Sequence, residues 1–255
     1  MQWINSSNRE WLETRKCYLS NSDVKDLLAV APNGRKRMAS TRKKAALRIW
    51  GEKQTPVSEE NVISKGIMAR GHIMEPYAID AFNRSISLNN LPFALPLHHW
   101  DDKLIIEPTQ RLSSFSPDAL CVPMPPGNDV VAELSADCAF MGEIKSYDGP
   151  HHYEAAFADA MKLDERWQVA MAMYCHPHIE AGCLILFNPA VQNPLFIQTY
   201  FRSFMDDELK AIQEAIDFYY DYADELERTA QALRLNVPVP SEQEIWDDWS
   251  NKLDI

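Results

Sequence analysis

Residues 140–145 read FMGEIK, an apolar segment that contains one acid and one lysine. Successive side chains of a β-strand point to opposite faces, so a strand here places Glu143 and Lys145 on one face. Phe140 and Ile144 then point to the other face, where they can join a core. Taken alone, the E-x-K spacing is more typical of a surface ion pair, so its interpretation depends on the neighbouring segments.

A second acid lies upstream, in the segment Ser116-Pro117-Asp118-Ala119. If the two segments pair in one sheet, Asp118 faces Glu143, and two adjacent carboxylates repel unless they share a proton or bind a cation. Hard oxygen ligands favour Mg²⁺ or Mn²⁺, which activates water and stabilises phosphoryl charge. Lys145 would then orient the water, deprotonate it or neutralise the developing charge. The residues therefore predict metal-dependent hydrolysis of a phosphodiester.

The rest of the sequence alternates between helical and extended patterns. Capping residues and hydrophobic spacing predict helices over residues 22–31, 40–50, 58–83, 153–160, 164–175 and 205–233. Short apolar segments predict strands over residues 93–100, 104–107, 113–122, 130–134, 139–147, 181–187 and 195–201. This order predicts an α/β fold, an α+β sandwich with helices flanking a central mixed β-sheet. No Gly/Ser linker divides the chain, so we expect one domain over residues 1–255.

The net charge of −12 argues at first against a nucleic-acid binder, since such proteins usually present a basic surface. The charge is uneven, because residues 1–55 contain 12 Lys and Arg against 5 Asp and Glu, whereas residues 206–255 contain 4 against 14. We therefore expect a basic helical N-terminal segment, residues 1–55, and an acidic helical C-terminal segment, residues 205–255. Such asymmetry keeps DNA binding open, because phosphate recognition can be local.

The cysteine pattern and the N-terminus indicate the compartment. The five cysteines form no C-x-x-C pair, and a chain of this length needs no disulfides to fold. The first residues, MQWINSSNREW, lack the pattern of a signal peptide, and no apolar run approaches the roughly 18 residues of a membrane span. These features predict a cytoplasmic protein without a membrane partner.

Further motifs surround the two acidic strands. In chain order they are Trp11-x-x-x-Arg15, SNSD at 20–23, MARGHIMEPYAIDAF at 68–82, RLSSFSPDALC at 111–121, MGEIKSY at 141–147 and DERWQVAMAMY at 164–174. This series resembles the YqaJ-like viral recombinases, the family typified by lambda exonuclease. The chain departs from the family in having S-P-D-A instead of S-P-D-G, and in a longer insertion between Asp118 and Glu143.

The resemblance implies a PD-(D/E)XK fold, similar to the core of restriction endonucleases. It implies a divalent metal, Mg²⁺ with Mn²⁺ as a possible substitute, held by Glu75, Asp118, Glu143 and the backbone carbonyl of Ile144. Lys145 would be the activating residue, and Gln168 would orient the site from a following helix. A 5′ phosphate of DNA would be held by Arg15 and Ser22, with a third contact from Arg35 or Arg37.

The resemblance also implies a function, an exonuclease that degrades double-stranded DNA 5′ to 3′ from its ends in viral or prophage recombination. Such an enzyme would work in the cytoplasm of a bacterial host cell, with a single-strand annealing protein as partner. The resemblance further suggests a homo-oligomer, a ring-shaped trimer with a channel for DNA. Two alternatives stay open, namely a structure-specific or sequence-specific endonuclease of the same fold, and a non-catalytic accessory protein that binds DNA ends.

Overall fold

The computed structural model describes residues 6–55, 66–89, 95–100, 103–109, 112–127, 129–158 and 164–233. The α-helices are α1 (Ser6–Lys16), α2 (Asn21–Leu27), α3 (Ala39–Gln54), α4 (Gly66–Asn89), α5 (Gly149–Phe157), α6 (Arg166–Cys175) and α7 (Asp206–Leu233). The strands are β1 (His98–His99), β2 (Ile105–Ile106), β3 (Ser114–Phe115), β4 (Ala119–Leu120), β5 (Phe140–Lys145), β6 (Ala181–Phe187) and β7 (Leu195–Phe201). Over these ranges no helix is long and apolar enough to cross a membrane.

A five-stranded mixed sheet, in the order β1-β4-β5-β6-β7, forms the centre of the fold. Strands β1, β4 and β5 are antiparallel neighbours, β6 runs parallel to β5, and β7 is antiparallel to β6. Strands β2 and β3 form a separate antiparallel pair. The mixed sheet with flanking helices confirms the predicted α/β class.

Helices cover both faces of the central sheet. On one face, α4 contributes Ala78, Ile79 and Phe82 to a cluster that also contains Phe140 and Ile144 of β5. On the other face, α6 packs against β5 and β6, and α7 packs against α2, α3 and α6. Because β6 is buried on both faces, its sequence is the continuous apolar run AGCLILF instead of an alternating pattern.

The basic N-terminal segment and the acidic C-terminal segment meet at the contact between α3 and α7. The guanidinium carbon of Arg42 lies 3.9 Å from the ring centroid of Phe218, and the ammonium of Lys43 lies 4.8 Å from that of Tyr222. Arg42 also donates through Nε to the carbonyl of Leu27, at 2.6 Å. Part of the basic segment therefore packs against the acidic helix α7. Residues 1–5 and 234–255 of the two predicted terminal segments lie outside the described residues.

The first strands are shorter than the sequence pattern predicts. The predicted strand over residues 113–122 is divided into β3 and β4, with Pro117 between them, because proline has no N–H to donate to a ladder. The predicted strand over 130–134 is wrong, since only an isolated parallel bridge joins Val131 to Leu104. Lys103 holds this insertion by donating through Nζ to the carbonyl of Gly127, at 3.0 Å. The insertion is thus an irregular segment tied to the β2 region.

The helix boundaries also differ from prediction. The helix predicted over residues 22–31 begins instead at Asn21 and ends at Leu27, with Ser20 as its cap, because Ser20 and Asp23 form a reciprocal capping box. Helix α4 continues to Asn89, beyond the predicted end at residue 83, while residues 58–65 of that prediction lie outside the described residues. The predicted strands over 181–187 and 195–201 and the helix over 205–233 agree with β6, β7 and α7 to within a residue.

Close packing of the sheet depends on a glycine in β6. A Cβ added to Gly182 would lie 2.6 Å from Cγ1 of Val169 and 3.0 Å from Sδ of Met141. We expect Gly182→Ala to lower the free energy of unfolding by about 1–3 kcal/mol, because such overpacking forces neighbours to shift. Urea unfolding followed by circular dichroism measures the change.

Gly51 provides the matched control for that substitution. It lies within α3, and an added Cβ would meet no atom within 4 Å. Gly51→Ala is therefore expected to raise the free energy of unfolding by about 1 kcal/mol, since alanine is the better helix former. Equal urea midpoints for the two variants would contradict the close approach at Gly182.

Candidate active site

The pairing of β4 with β5 brings the two predicted acids together. The register joins Ala119 to Gly142 and Leu120 to Met141, so its continuation sets Asp118 opposite Glu143. Oδ2 of Asp118 accepts a hydrogen bond from the backbone N–H of Ile144, at 2.7 Å. The backbone carbonyl of Asp118 accepts from the N–H of Trp100, at 3.0 Å. The carboxylate and its backbone are therefore both fixed by neighbouring strands.

Glu143 is the centre of a second set of hydrogen bonds. Its side chain is buried, with the residue 3% exposed, and Oε1 accepts from Nζ of Lys145. The same oxygen accepts from Nε2 of Gln168 on α6, at 2.6 Å. Both described donors use Oε1, so Oε2 keeps its lone pairs for a further ligand. The structure thus brings Glu143, Lys145 and Gln168 into direct contact.

The charges of this cluster act on one another. Burial raises the pKa of Asp118 well above its usual value, and the charges of Glu143 and Glu75 raise it further. Burial lowers the pKa of Lys145, but the carboxylates of Glu143 and Asp118 outweigh burial and raise that pKa overall. The acids therefore repel each other more than one lysine offsets, and a cation between them would relieve that repulsion.

Glu75 approaches the cluster from helix α4 and is itself held by two histidines. Its Oε1 lies 3.3 Å from Nδ1 of His72, and its Oε2 lies 3.0 Å from Nε2 of His99. Burial raises the pKa of Glu75, but the two histidines outweigh burial and lower it to about 2. No sequence pattern indicated a role for His99, because its place beside Glu75 comes from the pairing of β1 with β4.

The donor set fits a hard divalent cation. The carboxylates of Asp118 and Glu143 and the carbonyl of Ile144 are all oxygen donors, the kind that Mg²⁺ and Mn²⁺ prefer. In the described ranges, no three His, Cys, Asp or Glu side chains already form a ready metal cage. Glu75 differs from the other predicted ligands, because each of its carboxylate oxygens already contacts a histidine.

A separate cleft of about 380 Å³ contains two of the predicted phosphate-binding residues. Arg15 and Ser22 line it, together with Lys53, and the Arg15 guanidinium carbon lies 5.0 Å from the ring centroid of Trp11. Burial lowers the pKa of Arg15, while the charge of Asp23 opposes that shift. The half-buried arginine and the exposed serine hydroxyl thus face one space, which suits a phosphate.

Lys53 is a cleft residue that sequence analysis missed. Its Nζ donates to the carbonyl of Tyr18, at 2.7 Å, and to that of Lys16. Because Lys53 and Arg15 are far apart in the sequence, no local pattern predicts that they line the same cleft. Acids also line the cleft, namely Asp23, Asp26 and Glu52, and Arg48 forms ion pairs with the last two.

Arg35 and Arg37 are not among the residues that line this cleft. Arg37 donates through Nη1 to the carbonyls of Lys25 and Leu28 and so provides hydrogen-bond donors for backbone carbonyls at the C-terminal end of α2. Arg35 is exposed in the turn after α2, and its backbone N–H donates to Oδ1 of Asn33, at 3.2 Å. Of the four predicted phosphate contacts, the structure therefore brings Arg15 and Ser22 together and leaves the two loop arginines apart.

Comparison with known proteins identifies the fold. No family model and no curated protein matches this sequence. Two crystal structures of LHK-Exo, an alkaline exonuclease from Laribacter hongkongensis, match the fold with a TM-score of 0.59, one of them in complex with dAMP. Their sequences are 21% and 18% identical in the two alignments, which cover 88% of this chain and 99% of theirs. The chain therefore has the PD-(D/E)XK fold that its lambda-exonuclease-type motifs implied, the fold of an alkaline exonuclease.

Proposed function

We propose that this chain is a Mg²⁺-dependent exonuclease that degrades double-stranded DNA 5′ to 3′ from its ends. The observation that carries the proposal is the direct contact of Lys145 and Gln168 with Glu143, on a strand paired with the one that leads from Asp118. The shared fold with an alkaline exonuclease supports it, as does the dAMP bound in one crystal structure of that enzyme.

Each residue of the cluster has a proposed task. Asp118, Glu143 and the Ile144 carbonyl hold the cation, with Glu75 assisting from α4. When bound, the cation supplies Lewis acidity at the scissile phosphate and lowers the pKa of water. Lys145 orients the attacking water and balances negative charge on the phosphate, while Gln168 fixes the Glu143 carboxylate through its 2.6 Å hydrogen bond.

The end-binding cleft gives the proposed polarity. Arg15 and Ser22 hold the 5′ phosphate of the DNA end, because a guanidinium donates to two phosphate oxygens and a hydroxyl donates beside it. Lys53 is the proposed third contact in place of Arg35 or Arg37, since it lines the same cleft. An enzyme anchored at a 5′ phosphate begins its digestion there.

The proposal extends to the biological setting, the oligomeric state and the partner of the enzyme. The chain acts in viral or prophage recombination in the cytoplasm of a bacterial host cell. It forms a homo-oligomer, a ring-shaped trimer around the duplex, and passes its single-stranded product to an annealing protein. Support for these statements comes from the motif series between residues 11 and 174.

Digestion of end-labelled DNA tests the activity, the metal and the polarity together. Linear duplex labelled at the 5′ or the 3′ end is incubated with the protein and Mg²⁺, with EDTA and a closed circle as controls. We expect immediate release of the 5′ label as mononucleotide, slow release of the 3′ label, and an intact circle. Cleavage of the circle would favour the endonuclease, and DNA binding without any Mg²⁺-dependent release would favour the accessory protein.

The cleft is tested through its arginine. Arg15→Ala is expected to lower the ratio of rates on 5′-phosphorylated and 5′-hydroxyl ends by about tenfold, since hydrogen bonds to charged groups contribute roughly 1.5–3 kcal/mol. Arg84→Ala is the matched control, because Arg84 is an exposed arginine on α4 that pairs with Asp80. A ratio that stays the same in Arg15→Ala would refute the end-binding role of the cleft.

A further inference from the structure

Two cysteines lie beside the paired strands β4 and β5, one after the end of β4 and one before the start of β5. Cys121 directly follows β4, and its backbone N–H donates to the carbonyl of Phe140, at 3.0 Å, so it continues the β4–β5 register. Cys138 comes two residues before Phe140. The Cys121 sulfur lies 3.9 Å from the carbonyl oxygen of Asp137, the neighbour of Cys138. Cys121 and Cys138 therefore lie close together at the same end of the strand pair.

The two thiols differ in exposure and in acidity. Cys121 is half-buried, whereas Cys138 is fully buried. A hydrogen bond from the Cys138 side chain lowers the pKa of Cys121 to about 6, with help from backbone groups of Phe140 and Ala139. The same hydrogen bond, burial and the Cys121 charge raise the pKa of Cys138. Cys121 is therefore the more accessible and the more acidic of the two thiols, the arrangement of a peroxide-sensitive pair.

We propose that Cys121 and Cys138 are a redox pair that closes to an intrachain disulfide when the protein meets a peroxide. The Cys121 thiolate attacks one peroxide oxygen, breaks the O–O bond and becomes a sulfenic acid, and the other oxygen leaves as hydroxide. The Cys138 sulfur then attacks the Cys121 sulfur, the S–S bond forms, and water leaves with the Cys138 proton. Peroxide is reduced by two electrons, both thiols are oxidised, and a dithiol reductant reverses the change.

The other cysteines do not offer this chemistry. Cys175 and Cys183 are fully buried, and burial raises both pKa values, that of Cys175 to about 12. Cys17 is exposed in the turn directly after α1 and donates to the carbonyl of Glu13, at 3.6 Å. Cys17 therefore serves as the control, because it is an exposed cysteine that does not lie beside a second thiol as Cys121 does.

The disulfide would cross-link the two strands that lead to the candidate site. Cys121 is three residues from Asp118 along the chain, and Cys138 is five residues from Glu143. Closure of the pair thus fixes the end of β4 to the start of β5 and makes their separation depend on the redox state. This site is independent of the proposed nuclease activity, so it is tested on the protein chemistry alone.

Peptide mass spectrometry tests the proposal directly. The full chain is treated with a small excess of hydrogen peroxide at neutral pH, alkylated, and digested with trypsin, which leaves both cysteines in the peptide of residues 112–145. We expect this peptide to lose two hydrogens and to resist alkylation until dithiothreitol is added. Cleavage after Glu133 should leave its two halves joined. In untreated protein, Cys121 should be alkylated faster than Cys17.

Three variants complete the test. Cys121→Ser and Cys138→Ala should each abolish the linked peptide, whereas Cys17→Ser should leave its yield unchanged. Because Cys138 is buried, circular dichroism checks the fold of its variant, and Cys121→Ser decides the question if that variant unfolds. Further oxidation of Cys121 without linkage, or a disulfide between two chains, would overturn the proposal.

Discussion

Asp118→Asn is expected to lower kcat for duplex digestion by about 10³-fold, the scale of losing one well-placed electrostatic group in an active site. The amide keeps the shape of the side chain and an oxygen that accepts from the Ile144 N–H, now 2.7 Å from Oδ2. The charge that holds the cation is lost. Single-turnover digestion of 5′-labelled duplex measures the change, with Asp221→Asn, an exposed acid on α7, as the control.

The same variant should be more stable than the native protein when metal is absent. The pKa of Asp118 is raised in the folded state, first by burial and then by Glu143, so its stabilising contribution is present at low pH and lost as pH rises through that pKa. The amide carries no charge and escapes this loss. In EDTA at neutral pH, we therefore expect a higher Tm for Asp118→Asn than for the native chain.

Metal addition should reverse that order. A cation that binds only the folded state stabilises it by about 2.7 kcal/mol at a hundredfold excess over Kd. We expect Mg²⁺ or Mn²⁺ to raise the Tm of the native protein and to affect Asp118→Asn much less. An equal shift in both proteins would show that Asp118 is not a metal ligand.

Lys145→Gln is expected to lower kcat by about 10²–10³-fold, because the variant has no ammonium to orient water or to balance phosphate charge. Unlike Asp118→Asn, it should also destabilise the fold. Glu143 is 3% exposed, and without Lys145 its remaining described donor is Gln168. Breaking a buried ion pair from one side costs about 3 kcal/mol, which urea unfolding measures.

The pH dependence of this loss follows from the direction of the pKa shift. The carboxylates raise the pKa of Lys145 in the folded state in spite of burial, so the ion pair stabilises the fold at every pH below the unfolded value of about 10.4. The destabilisation should therefore be constant between about pH 6 and about pH 9. Lys210→Gln, which removes an exposed lysine on α7, should change neither kcat nor stability. A stable but inactive Lys145→Gln would mean that Glu143 does not depend on the ion pair.

Local patterns predicted the centre of the fold well. The alternation in FMGEIK predicts that Glu143 and Lys145 share a face, and their side chains are in contact. The apolar run of β6 predicts its bounds, because a strand buried on both faces of a sheet needs uninterrupted apolar residues. The pairing of β4 with β5, on which the expected meeting of the two acids depended, is present in the sheet.

Features that depend on tertiary contacts could not be predicted in this way. His99 approaches Glu75 only because β1 pairs with β4, and β1 is a strand of two residues with no distinctive pattern. Lys53 reaches the Arg15 cleft from the far end of α3. The family resemblance suggested Arg37 as a phosphate contact, but its guanidinium donates to carbonyls at the end of α2.

The packing of α3 against α7 has a consequence for the ionic-strength response of DNA binding. Each phosphate contact that releases a counterion steepens the fall of affinity with salt, so the slope counts the cations that actually reach the backbone. Of the 12 basic residues in positions 1–55, six besides the proposed phosphate contacts Arg15 and Lys53 already engage carbonyls, acids or aromatic rings of the same chain, namely Lys16, Lys25, Arg37, Arg42, Lys43 and Arg48. The salt slope will therefore correspond to far fewer contacts than the composition of this segment suggests.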